Sequence, residues 1–215
     1  MKIINDSGKI FYSGSFGNII GYIINGKQYF RSKPEHINDA KTKEQVNQRT
    51  RFIACTKLAK SALNDILKPV WEKGAITMTG FNLFVKTNYS AFDETGKISN
   101  YSNLKFSVGN LPLPKNIVIS NAAAGNGAID VTWTDNSGSG IAAATDRLMV
   151  VALKVNEPVV ITGLNFTRRA RQATVQLPYV AGDTVHVYVF FQHKKGKNYS
   201  NSYYSLVNIP SAPNP

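Results

Sequence analysis

Residues 127–135 read Gly-Ala-Ile-Asp-Val-Thr-Trp-Thr-Asp, so that Ile129, Val131 and Trp133 alternate with Asp130, Thr132 and Thr134. A period of two is the pattern of a strand with one dry face and one wet face. A tryptophan closing such a strand just before a Gly/Ser loop marks it as the pin of a sandwich core. The same pattern predicts further strands over 116–121, 147–154, 159–162, 173–177, 184–193 and 203–209. Turn-forming residues separate them: Asn126-Gly127, Ser137-Gly138-Ser139-Gly140, Asn156-Glu157-Pro158, Ala181-Gly182-Asp183 and Gly196-Lys197-Asn198. One segment breaks the alternation. Val185-His186-Val187-Tyr188-Val189-Phe190-Phe191 is apolar on both faces, so its outer face requires a second cover, either the N-terminal part of the chain or another subunit.

The first half patterns differently. Residues 19–24 and 27–31 are rich in β-formers and flank Asn25-Gly26, a strong signal for a two-residue hairpin turn because both central residues of that turn need positive φ. Thr42 with Gln45 three residues on forms a capping box, and a helix is predicted from there to Leu67. Its apolar face is Phe52, Cys55, Leu58, Ala59, Ala62, Leu63 and Ile66, with Arg49, Arg51, Lys57, Lys60 and Asn64 on the other sides. Pro69 is expected to stop it. A short helix follows over 79–88 and an alternating strand over 104–108, and the prolines of 109–114 mark a boundary. The expected fold class is therefore mainly β: an α+β module over 1–112 with a hairpin and a long amphipathic helix, then a seven-stranded β-sandwich over 113–215.

Composition changes this picture little. The 43% hydrophobic and 11% aromatic shares are those of a globular chain, and 215 residues accommodate two modest domains. Charge matters more. Twenty-five Lys and Arg against thirteen Asp and Glu give a net +12. The first 112 residues hold 16 basic and 8 acidic side chains and the rest hold 9 and 5, so the excess is diffuse. Such a field favours polyanionic partners, nucleic acid or an anionic surface glycan among them, and also serves solubility alone. Cys55 is the single cysteine, which excludes an intramolecular disulfide and a cysteine zinc cluster. No apolar run approaches a membrane span. No secretory leader is read at the N-terminus, so synthesis in the cytoplasm is expected.

Catalytic and metal constellations are not read, so the expectation is a protein that is not an enzyme and needs no cofactor. His36, His186 and His193 are scattered, and none has a metal-ligand partner at the right spacing. His186 is expected to be a hydrogen-bonding residue at a strand corner. Residues 135–140 lack the acidic closing position of a calcium loop and read as a turn, and Asp93-Glu94 sits in a polar loop with no distant carboxylate partner. The glycines before Tyr22 fit neither a phosphate loop nor a dinucleotide fingerprint. Two short basic clusters remain as a candidate contact surface: Arg168, Arg169 and Arg171, and Lys194, Lys195 and Lys197. They suit a phosphate or an acidic polysaccharide, or stand as solvated loop tips.

Seven short strands with a tryptophan on the second resemble a fibronectin type III or immunoglobulin-like module. Leu177 and Gly182 match the fibronectin corner, with His186 or Tyr188 in place of its tyrosine. Over nearly its whole length the chain also resembles a family of uncharacterised Bacteroidota proteins with a domain of unknown function. The resemblance is carried by Phe16-Gly17-Asn18-Ile19-Ile20-Gly21, residues 25–34, Gln48-Arg49, Thr79-Gly80-Phe81-Asn82, residues 132–138, Ala144-Thr145-Asp146 and residues 182–186. That family implies no activity; the phage-like settings of some such genes imply an assembly component. The expected role is a non-enzymatic structural or adhesive part of a multisubunit assembly such as a phage virion, homo- or hetero-oligomeric, acting in the particle or outside the cell. The alternative is a cytoplasmic, basic, nucleic-acid-associated protein using the helix after Thr42.

Overall fold

The computed structural model describes residues 2–6, 8–24, 26–36, 39–72, 78–122, 127–154, 157–161, 164–179 and 182–210. The turn positions Asn25, Asn126, Asn156 and Ala181 lie outside the described residues, as does Thr162, the last residue of a predicted strand. The fold is mostly β, with three sheets and a group of helices, and divides into two compact units, Met1–Thr42 and Lys43–Pro215.

The first unit is an antiparallel meander in the order β1 (Lys2–Asp6), β2 (Lys9–Phe16), β3 (Ile19–Ile24) and β4 (Lys27–Ser32). The β3–β4 hairpin falls where the Asn-Gly pair predicts it, with Ile24 opposite Lys27. β2 pairs with β3 only from Gly14 to Phe16. Beyond Gly14, which takes φ +103°, the Gln28 amide reaches across and accepts from the Tyr12 N–H at 2.6 Å while donating to the Tyr12 carbonyl at 2.9 Å. A side chain thus supplies the bonds that a ladder would otherwise make.

The second unit begins with α1 (Lys43–Ser61) and continues through a π-helix (Leu63–Trp71) to α2 (Gly80–Asn88). Pro69 does not stop the helix. The turn has already widened, with the Leu67 N–H bonded to the Ala62 carbonyl five residues back at 3.0 Å, so proline falls inside a π-helix. The carbonyl of Pro69 accepts the Tyr199 hydroxyl at 2.9 Å. α2 is capped as its sequence suggests, Thr79 Oγ1 accepting from the Asn82 N–H at 3.2 Å. Residues 104–108 are not a strand. Asn88 occupies the backbone that a neighbour would need, accepting from the Lys105 N–H at 2.7 Å and donating to the Lys105 carbonyl at 3.0 Å.

Seven strands follow: β5 (Lys115–Asn121), β6 (Ala128–Thr134), β7 (Arg147–Lys154), β8 (Glu157–Ile161), β9 (Gln172–Gln176), β10 (Thr184–Gln192) and β11 (Tyr203–Asn208). They form a three-stranded sheet, β5-β6-β9, and a four-stranded sheet, β11-β10-β7-β8, all antiparallel. Between them lies one core, where Ile129, Val131 and Trp133 of β6 meet Val187, Val189 and Phe191 of β10. Trp133 packs edge-on against Phe191 at 5.3 Å.

The other face of the four-stranded sheet is also dry. Tyr188 and Phe190 of β10 and Val151 and Leu153 of β7 join a second core with Leu58, Ile66, Trp71, Phe84 and Phe106. Every residue from Val187 to Phe191 is 0% exposed. The cover that the doubly apolar strand demands is thus supplied by 43–112 of its own chain. For the same reason the boundary expected at Pro112 falls at Thr42 instead: the helices share a core with the sheet and cannot be a separate unit. Phe52 departs from its predicted place on the buried face of α1; it is 53% exposed, since the helix turns Cys55, Leu58 and Ala59 inward. Cys55 is buried, and burial pushes its thiol up to about 11.

Because both cores share β7 and β10, 43–215 is expected to unfold in one step. Single-tryptophan proteins carrying Trp71→Phe or Trp133→Phe, one reporter per core, should give denaturant midpoints coincident with helix loss by circular dichroism. Phe190→Ala should lower stability by about 3–5 kcal/mol and shift both reporters together; separate transitions would show the cores to be independent.

Candidate functional site

The two basic clusters are brought to one end of the sandwich by strand register. Gln192 at the end of β10 pairs with Arg147 at the start of β7, and Arg147 bridges Thr167. Arg168–Ala170 is a 3₁₀ turn after that bridge, closed by Arg171 in the left-handed conformation at φ +62°. The β10 strand runs on into the turn holding Lys194, Lys195 and Lys197. Arg147, Arg169, Arg171, Lys194, Lys195 and Lys197 are all exposed there.

Arg168 is not part of that surface. It is 0% exposed, its Nε donates to Asp146 Oδ2 at 3.1 Å, and its Nη1 donates to Asn136 Oδ1. The guanidinium lies 4.8 Å from the centre of the Phe191 ring, and its backbone carbonyl accepts the Trp133 indole N–H at 2.7 Å. Asp146, also fully buried, holds the Ala143 N–H through the same Oδ2 at 2.8 Å. Burial lowers the pKa of Arg168, opposed by the charge of Asp146. This cation is an internal fastener that ties the loops before β7 and β9 to the Trp133 core, and three arginines within four residues gave no sign of which would turn inward.

Other side chains singled out above are engaged in contacts within the fold. Asp93 Oδ1 accepts the Thr95 hydroxyl at 2.7 Å and the Lys97 and Thr95 N–H groups, and these bonds, the hydroxyl's foremost, hold its carboxyl below the usual range. Glu94 accepts from Asn47 at 2.8 Å. Asp135 accepts the Ser137 N–H at 2.9 Å in the turn predicted there, which likewise lowers its pKa. Arg51, predicted on the open side of α1, lies partly buried with its guanidinium 5.5 Å from the centre of the Tyr89 ring. His186 makes no fibronectin-type corner. Its ring stacks on Tyr101 at 3.4 Å, and its Nδ1 lies 2.9 Å from the Tyr204 hydroxyl. Tyr188 donates to the Tyr101 carbonyl at 2.7 Å. Burial pushes the His186 pKa down. No group of three or more His, Cys, Asp or Glu is gathered in a metal-binding arrangement among the described residues. No helix among them is long and apolar enough to cross a membrane.

The second unit is thus a pair of antiparallel sheets with a helical layer on one of them and a basic end. The chain belongs to a family of unknown function, DUF6266, whose model matches residues 11–206. Among solved structures it is similar to one described as the fn3 domain of human collagen alpha-1(XX) chain, at 13% identity and a TM-score of 0.35 over 49% of this chain and 91% of that one. No curated protein matches.

The buried pair should be costly to break. Arg168→Met is expected to destabilise the protein by about 3–5 kcal/mol, because it leaves the Asp146 carboxylate buried without its cation, and adding Asp146→Leu should recover much of the loss; denaturant titration of both variants reads this. His186 gives a pH signature. Its folded-state pKa lies below the unfolded value of about 6.5, so the folded state prefers neutral imidazole. Its contribution is complete above that value and is lost progressively as pH falls from there through the lower folded-state pKa. The melting temperature should fall from neutral to mildly acidic pH, and less steeply in His186→Gln.

Proposed function

We propose that the protein is a non-enzymatic structural or adhesive component of a multisubunit assembly, a virion or phage-like particle reached after cytoplasmic synthesis. The observation that carries this is the first unit's sheet. Ile3, Ile10, Phe16, Ile19 and Phe30 are 49–69% exposed on a unit of 42 residues. Single exposed apolar side chains need no explanation, but a cluster this dense marks a surface that seeks a partner. A four-stranded sheet also needs a second layer against an apolar face to be stable. We read 113–215 as a fibronectin type III-like sandwich, a fold that presents loops and edges to partners, and its basic end as the place where a polyanion would bind. The chain should co-purify with particles through a density gradient from cells that carry the gene, detected by mass spectrometry. Its absence from every particle fraction, with all of it soluble, would overturn the proposal.

A cytoplasmic nucleic-acid-associated protein is the second reading, favoured by the convergence of Arg147, Arg169, Arg171 and the three lysines at one end. It requires affinity for duplex DNA that falls with salt by about 0.9 log units per log unit of salt for each phosphate contacted. The double variant Arg169→Ser with Lys195→Ser should reduce that slope by about two such contacts. Binding that is absent, or equal in the variant, would remove this reading.

A further inference from the structure

Register defines one face of the first unit's sheet, because directly paired residues project to the same side. Ile3 pairs with Tyr12 and Asn5 with Ile10. Gly14 pairs with Gly21 and Phe16 with Ile19, and Gly21 in turn pairs with Phe30. Ile23, Gln28 and Ser32 complete this face, and no position on it is charged. Lys27 and Arg31 alternate with Gln28 and Phe30 and so project from the opposite face.

In the middle of the uncharged face is a hollow of about 280 Å³ lined by Tyr12, Gly14, Phe16, Ile19, Gly21 and Phe30. The glycine pair makes its floor. A Cβ on Gly21 would stand 2.9 Å from the Tyr12 carbonyl oxygen and 3.2 Å from the Phe30 ring, so this floor admits no side chain of its own. Beside it stand two aromatic rings with little cover, Phe16 at 69% and Phe30 at 58% exposure. Socket and knob therefore occur on the same surface, which is the self-complementarity that a two-fold contact requires.

Charge narrows the occupant. An acidic protein or a polyanion would be met by cations, and this face has none. Two chains of net +12 repel each other, and they approach at least cost through a face without charge. Area sets the strength: four strands of five to eight residues, about 4.8 Å apart, present roughly 400 Å² per copy, or roughly 800 Å² for a pair, the size of a weak, reversible contact. We infer that two copies of the chain pair through this face, sheet against sheet about a two-fold axis, each Phe16 ring seated in the glycine-floored hollow of the other. The pairing rests on the assembly proposed above and names its first contact.

Sedimentation velocity of the full chain from low to high micromolar concentration tests it. A reversible monomer–dimer equilibrium is expected. Phe16→Asp and, separately, Ile19→Lys should each raise the dissociation constant roughly thirtyfold or more, while Ile53→Lys on the exposed side of α1 leaves it unchanged. Unaltered far-UV circular dichroism shows that each variant is folded. Hydrogen exchange on the unmodified chain gives a second readout, with residues 10–32 better protected as concentration rises. A monomer at every concentration, or a dimer indifferent to both substitutions, overturns the inference. A monomer that still enters particles, and loses this with Phe16→Asp, also overturns it and assigns the face to a different subunit. A dimer disrupted by both substitutions but absent from all particles supports the pairing while removing the assembly proposal.

Discussion

The second unit depends on burying a single strand on both of its faces. β10 lies inside a four-stranded sheet, with β7 and β11 on its flanks, so its backbone is satisfied and its side chains alternate between two dry compartments. Toward the three-stranded sheet it presents Val185, Val187, Val189 and Phe191; toward the helices it presents Tyr188 and Phe190. The division by size is physical. Valines suit the interior of two sheets in close register, whereas rings span the less regular gap between a sheet and helices. Each fully buried Val or Phe contributes about 1.5–3 kcal/mol before chain entropy is subtracted. A sheet with that much apolar surface on its outer side is not stable bare, and the helices form their core against it.

Each compartment has a tryptophan that spends its one polar group on a buried carbonyl. Trp71 donates to Phe106 at 2.8 Å and Trp133 to Arg168 at 2.7 Å. In both cases the acceptor lies outside the strands and the long helices, Arg168 in a 3₁₀ turn and Phe106 in a loop, so the indole fastens a connection to the core that its ring fills. The net charge is managed in the same economical way. One cation is drawn inside and neutralised by Asp146, and the others at that end of the sandwich stay in water.

Much of the second unit was legible in its sequence, because period-two alternation and turn residues encode strands directly. Six of its seven strands begin and end within a residue or so of their predicted limits, and β8 starts two residues early. The need for a cover over β10 was legible too, since no one-sided sheet explains seven apolar or aromatic positions in a row. Most of what failed shares one cause, tertiary substitution for a local rule. Pro69 breaks an α-helix but sits inside a π-helix, and Leu104 to Val108 alternates like a strand while Asn88 holds its backbone. The prolines of 109–114 look like a linker although the layers on either side share a core. At the candidate site, exposure of Arg169 and Arg171 and burial of Arg168 depend on Asp146, Asn136 and Phe191, none of them a sequence neighbour. β1 was missed because its five residues carry little alternation.

The shared core also bears on inheritance. A sandwich whose sheets are closed by their own edges and loops can be copied from gene to gene like a bead, as its ends are its only attachments. Here the outer side of β7 and β10 is written for Leu58, Ile66, Trp71 and Phe84, residues that precede it by about 67 to 132 positions. A recombination breakpoint anywhere between α1 and β5 would leave two halves that each expose a greasy face. The heritable unit is therefore the whole of 43–215, and variation should enter through the rim loops rather than by exchange of the sandwich alone.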